Sequence, residues 1–223
     1  MGTITLTASD GFQFTGYEAL PKGAAKGCVV VIQEVFGVNN HIREVCDRYA
    51  NEGYLALAPA IFDRFQPGIE LGYEQDDMIK GVGIARGELQ TDDTLRDIQA
   101  AIDYLSSKGK VGLVGYCFGG LMSWMAAAKA DGLSCVSSYY GGGIIQVMEL
   151  KPKVPTIMHF GELDAHIPME DVRAIDEAHA DVPVYVYDAD HGFNCDHRAS
   201  YDEAAADLAL RRTLGLFLEH VTI

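Results

Sequence analysis

Lys110-Val111-Gly112-Leu113-Val114-Gly115-Tyr116-Cys117-Phe118-Gly119-Gly120 decides the fold. Positions 110–114 read as a buried strand, and 119–130 as an apolar, alanine-rich helix. Between them, Gly115-x-Cys117-x-Gly119 has the spacing of a nucleophile elbow, with cysteine where serine is usual. A strand-to-helix turn this tight needs glycine at its flanks, to avoid clashes and to let the helix pack. The turn projects the Cys117 side chain at a helix N-terminus, where orphan N–H groups and the dipole favour a thiolate. The N–H of Phe118 then becomes one half of an oxyanion hole.

Working outward, Cys28-Val29-Val30-Val31-Ile32 is continuous and β-branched, as expected of a strand covered on both faces. Further strands are expected at 54–58, 133–140, 156–160 and 184–187. Helices are expected at 40–52, 91–107, 170–180 and 200–220. The N-terminal alternation at 3–7 and 12–17, turned at Ser9-Asp10-Gly11, reads as a hairpin at a sheet edge. Residues 62–90 have weak periodicity and read as a long excursion above the sheet, with a short helix at most. Strands alternating with helices predict a mostly parallel, doubly wound sheet with helices on both faces, and the elbow set into it resembles that of the α/β-hydrolase fold. Without repeats, linkers or low-complexity tracts, residues 1–223 are expected to form a single domain.

Ligands of open parallel sheets bind beyond the carboxyl ends of the strands, so the strand ends carry the functional reading. They present Gln33-Glu34-Val35-Phe36-Gly37, the Cys117 elbow, Gly161-Glu162-Leu163-Asp164 and Asp188-Ala189-Asp190-His191-Gly192. A nucleophile, an acid and a histidine thus arrive in chain order. His191 is the expected base, and Asp164 the acid that fixes its tautomer. His41, His179 and His220 are expected on solvated helix surfaces, His159 in the core and His166 at the rim. His197 is the rival to His191. Glu34, a carboxylate directly after a buried strand, is expected to face the crevice and contact the thiol or the substrate. No histidine or cysteine pair has metal-ligand spacing, so neither metal nor cofactor is expected.

Composition narrows the classes. The 223 residues carry a formal net charge of -15, which disfavours nucleic acid and anionic membranes as partners. An anionic substrate would need local positive charge. No stretch approaches a membrane span, and the N-terminus lacks the pattern of a signal peptide. Five scattered cysteines form no CxxC pair, which fits a reducing cytoplasm.

These motifs resemble the dienelactone hydrolase (carboxymethylenebutenolidase) family. The resemblance is carried by Gln33-Glu34-Val35-Phe36-Gly37-Val38-Asn39, the 110–120 elbow, Tyr139-Tyr140-Gly141, Gly161-x-x-Asp164 and His191-Gly192-Phe193. It implies a triad of Cys117, Asp164 and His191, with Glu34 interacting with the thiol and backbone donors at Val35 and Phe118. Family members that hydrolyse dienelactone hold the substrate carboxylate with two arginines. One is expected where this chain has Cys195, the other near Met78-Ile79-Lys80, where no arginine stands. Lys80, Arg64 and Arg198 are the substitutes at hand, but neither a lysine nor a shifted guanidinium reproduces a bidentate clamp. A neutral ester or lactone is therefore expected as the substrate at least as much as a carboxylated lactone. Phe36, Tyr140, Arg64, Lys80 and Phe193 are expected to contact it, in a monomer or small homo-oligomer. Two other readings compete: a phosphotriesterase using the same site, and a non-enzymatic sensor built on a reactive Cys117.

Overall fold

The computed structural model describes residues 2–222. Eight strands form one sheet: β1 (Gly2–Thr7), β2 (Gln13–Ala19), β3 (Cys28–Ile32), β4 (Leu55–Pro59), β5 (Val111–Tyr116), β6 (Leu133–Tyr139), β7 (Thr156–Gly161) and β8 (Val184–Tyr187). Their order is β1-β2-β4-β3-β5-β6-β7-β8, and every pairing from β4 to β8 is parallel. The N-terminal hairpin adds the two antiparallel pairings and puts β1 at one edge.

The central strands show why continuous apolar runs were needed. In β3, Val29 and Val31 enter one core while Cys28, Val30 and Ile32 enter the other, since successive side chains point to opposite faces. Helices α1 (Asn40–Asn51) and α6 (Glu203–His220) cover the first face through Ile42, Val45, Tyr49, Ala209 and Phe217. On the other face lie α3 (Thr91–Ser106) and α4 (Phe118–Lys129), through Ile98, Ile102, Leu105, Met122 and Ala126. Among the described residues, no helix is long and apolar enough to cross a membrane.

The excursion at 62–90 holds more helix than expected. α2 (Gln75–Gly83) runs directly into a π-helical turn, Ile84–Glu88. Three glycines dilute its pattern, and the π turn breaks the 3.6-residue period, so Met78, Val82, Ile84 and Ala85 do not read as one stripe. They nevertheless pack on the core shared with α3 and α4.

Two histidines are corrected. His41 is not solvated but fully buried on the inner face of α1. His179, just past α5 (Met169–Ala178), is buried edge-on to Trp124, with Nε2 2.7 Å from the Met148 carbonyl. His159 is a core residue as expected, bonded to Tyr187 and Ser137, and burial presses its pKa down to about 3.

Candidate active site

Cys117 stands between β5 and α4 with φ 56° and ψ −114°, a left-handed backbone that a residue with a Cβ adopts at a cost. Gly119 makes the turn possible. A Cβ there would lie 2.4 Å from the Ile32 carbonyl oxygen and 2.6 Å from that of Gln33. The start of α4 is thus packed directly on the end of β3.

His191 comes from the loop after β8, where its N–H donates to Asp190 Oδ1 at 2.6 Å. Nδ1 donates to Asp164 Oδ2 at 2.7 Å, and Nε2 lies 3.1 Å from Cys117 Sγ. The second oxygen of Asp164, which sits beyond β7, accepts the N–H of His166 at 2.8 Å. Because the carboxylate accepts from Nδ1, the ring presents a basic Nε2 to the thiol. Burial opposes a charge on His191, but the Cys117 sulfur and the Asp164 carboxylate outweigh it and push the pKa up to about 10. An arrangement of this kind can hold an imidazolium against a thiolate. Asp164 and His191 are buried, whereas Cys117 keeps partial exposure, so a substrate can reach the sulfur.

The N–H groups of Val35 and Phe118 donate to no protein acceptor among the described residues. Val35 is held by α2: a Cβ on Gly81 would fall 1.9 Å from the Val35 carbonyl oxygen. Gly81 does not stand out in the sequence. It is one of the glycines that obscured α2, and its only local signal was a glycine inside a helical stretch.

Other expected contacts are placed differently. Glu34 is buried, and its Oε1 lies 3.4 Å from Arg198 Nη1; no hydrogen bond joins it to the thiol. Arg198 also lies over the Phe36 ring. Phe36 is buried against Tyr73, and Phe193 among Tyr139, Tyr140 and Tyr187, so both brace loops rather than present a surface. Tyr140 is fully buried with its ring 5.1 Å from that of His191, forming a wall behind the imidazole. Lys80 is exposed in the last turn of α2, with no ion pair among the described residues. The rival His197 pairs with Glu44 on α1, with Nε2 2.8 Å from Oε2. His166 does sit at the rim, its ring edge-on to His191.

Arg64, expected to contact the substrate, has its guanidinium taken instead: it donates to Asp97 at 2.8 Å from both Nε and Nη2, and to Asp10. Asp97 is fully buried on α3. Arg64→Ala should therefore cost about 3–5 kcal/mol, by leaving that carboxylate buried without a partner. Urea unfolding checks this, while KM of the folded variant should stay near wild type. A raised KM with unchanged stability would return Arg64 to the substrate site.

The sheet, the elbow and the strand-end histidine and acid define an α/β-hydrolase. The dienelactone hydrolase family model matches residues 14–221, and the chain belongs to that family. A putative carboxymethylenebutenolidase of Synechocystis sp. is 36% identical over 227 residues, covering 92% of each chain. The carboxymethylenebutenolidase of Pseudomonas putida is 31% identical, covering 95% of this chain and 93% of its own. The crystal structure of a putative dienelactone hydrolase from Klebsiella pneumoniae superposes with a TM-score of 0.84 at 28% identity, over 99% of this chain and all of the other. The protein is thus a hydrolase acting on esters.

Proposed function

We propose that the chain, working as a single cytoplasmic domain, hydrolyses small neutral esters or lactones through a thioester on Cys117. The observation that carries this is the unbroken line from Asp164 through His191 to the sulfur, at 2.7 and 3.1 Å. Sγ attacks the ester carbonyl, and the developing oxyanion is received by the free N–H groups of Phe118 and Val35. Collapse expels the alcohol, which takes the proton held by His191. The ring, neutral again, then deprotonates water to cleave the thioester and regenerate the thiol. Amides should be poor substrates, because the thiol leaves more readily than the amine.

A neutral substrate is favoured by the state of the cations. Arg64 is committed to two aspartates and Arg198 faces Glu34, so neither of these two candidate guanidinium groups stands free to clamp a carboxylate. Mass spectrometry of enzyme quenched in acid during turnover of a short p-nitrophenyl ester should find the acyl group on Cys117. Continued turnover with no acyl group on that residue, even under rapid quenching, overturns the thioester route. Phosphotriesters assayed in parallel separate the competing reading: phosphorylation of Cys117 with faster turnover than the esters would favour it.

A further inference from the structure

A second cluster of ligating side chains lies outside the Cys117–His191–Asp164 line. A ring nitrogen of His41, the sulfur of Cys195 and a carboxylate oxygen of Glu34 lie within 4.8 Å of one another, and all three residues are buried. His41 and Glu34 each have one atom of the polar group already engaged. His41 Nδ1 is 3.2 Å from Asp196 Oδ1, and Glu34 Oε1 faces Arg198. That leaves His41 Nε2 and Glu34 Oε2 buried with no hydrogen-bond partner. Unpartnered polar atoms in a core are costly, and two converging on one thiol need a reason. Direct proton sharing does not supply it, since neither atom reaches a donor.

A cation does supply one. Nitrogen, sulfur and oxygen donors at this mutual spacing suit a borderline-soft divalent ion, and three protein ligands leave a fourth position open. Asp196 accepts the Nδ1 proton and directs the Nε2 lone pair inward, as the carboxylate behind a metal-bound histidine does. Tyr73, whose hydroxyl accepts from Asn39 Nδ2 at 3.1 Å, has that hydroxyl against the Cys195 sulfur. We propose that Glu34, His41 and Cys195 form a binding site for a zinc-like divalent ion. On binding, the Cys195 S–H bond breaks, its proton passes to water, and the sulfur lone pair forms the bond to the metal. The ion would join the β3 loop, α1 and the loop that carries His191. Sequence spacing could not reveal such a site, because its ligands come from three separate segments.

Titrating reduced, metal-stripped full-length protein with cobalt(II) alone tests this, by thiolate-to-cobalt charge-transfer absorption. One equivalent should bind, and added zinc should bleach the band. The band should persist in Cys117→Ala and vanish in Cys195→Ala and His41→Gln, with circular dichroism verifying that each variant is folded. Asp196→Asn, at a partly exposed side chain, should weaken binding by about 10- to 100-fold. No band in the wild type, or a band lost in Cys117→Ala and kept in Cys195→Ala, overturns the site. In the second case the metal sits on the proposed nucleophile. The outcome is independent of ester turnover, so it fails or stands apart from the thioester reading.

Discussion

Cys117→Ala is expected to lower kcat on a short p-nitrophenyl ester by about 1,000-fold or more, while KM moves little. The reasoning is chemical. Without the sulfur there is no covalent intermediate, and the free Val35 and Phe118 amides can assist only direct attack by water. The fold should survive, because alanine keeps the Cβ and the position is partly exposed. The same residue offers a second reading of its strain. At φ 56° any side chain is disfavoured, so Cys117→Gly should be more stable than Cys117→Ala by about 1 kcal/mol, and equally inactive. That pairing would show backbone strain held at the site for the sake of presenting a thiol. Wild-type turnover by Cys117→Ala would end the nucleophile proposal and leave His191 to act on water alone.

Gly119→Ala should cost about 3 kcal/mol in urea unfolding, near the upper end for overpacking a core. The added methyl would meet two backbone carbonyls, at 2.4 and 2.6 Å, and backbone cannot rotate away as a side chain can. Relief must come from separating the start of α4 from the end of β3. Those two segments carry the Phe118 and Val35 amides respectively, so the distance between the proposed oxyanion donors changes with them. The folded fraction should therefore lose about 10- to 100-fold in kcat, with the thiol still reactive toward iodoacetamide. Full activity together with full stability would mean that the contact is soft and that the elbow needs no glycine there.

How far the site was readable follows from where each signal resides. The elbow is local: strand, glycine, cysteine, glycine and helix lie within one short run, and turn geometry leaves little choice. Asp164 and His191 stood out as candidates for a related reason, as each follows a strand whose end must face the crevice, and the fold brings the two side chains together. The excursion at 62–90 was harder. Gly81 is required there by its approach to the Val35 carbonyl, and the same glycine weakens the helical pattern that would have disclosed α2.

From residue order came the layered α/β plan, the place of the strand-to-helix turn that presents Cys117 and the acid and histidine proposed to serve it, since period, turn chemistry and chain direction are properties of neighbours along the chain. Folding in three dimensions settled the partners. Arg64 turned to Asp97 and Asp10, Arg198 to Glu34, and His41 went inward beside Cys195 with Asp196 behind it. Such pairings join side chains up to 164 positions apart, and no spacing rule reaches across that distance. Which charge meets which is decided only when packing brings them within a few ångströms and removes the water between them.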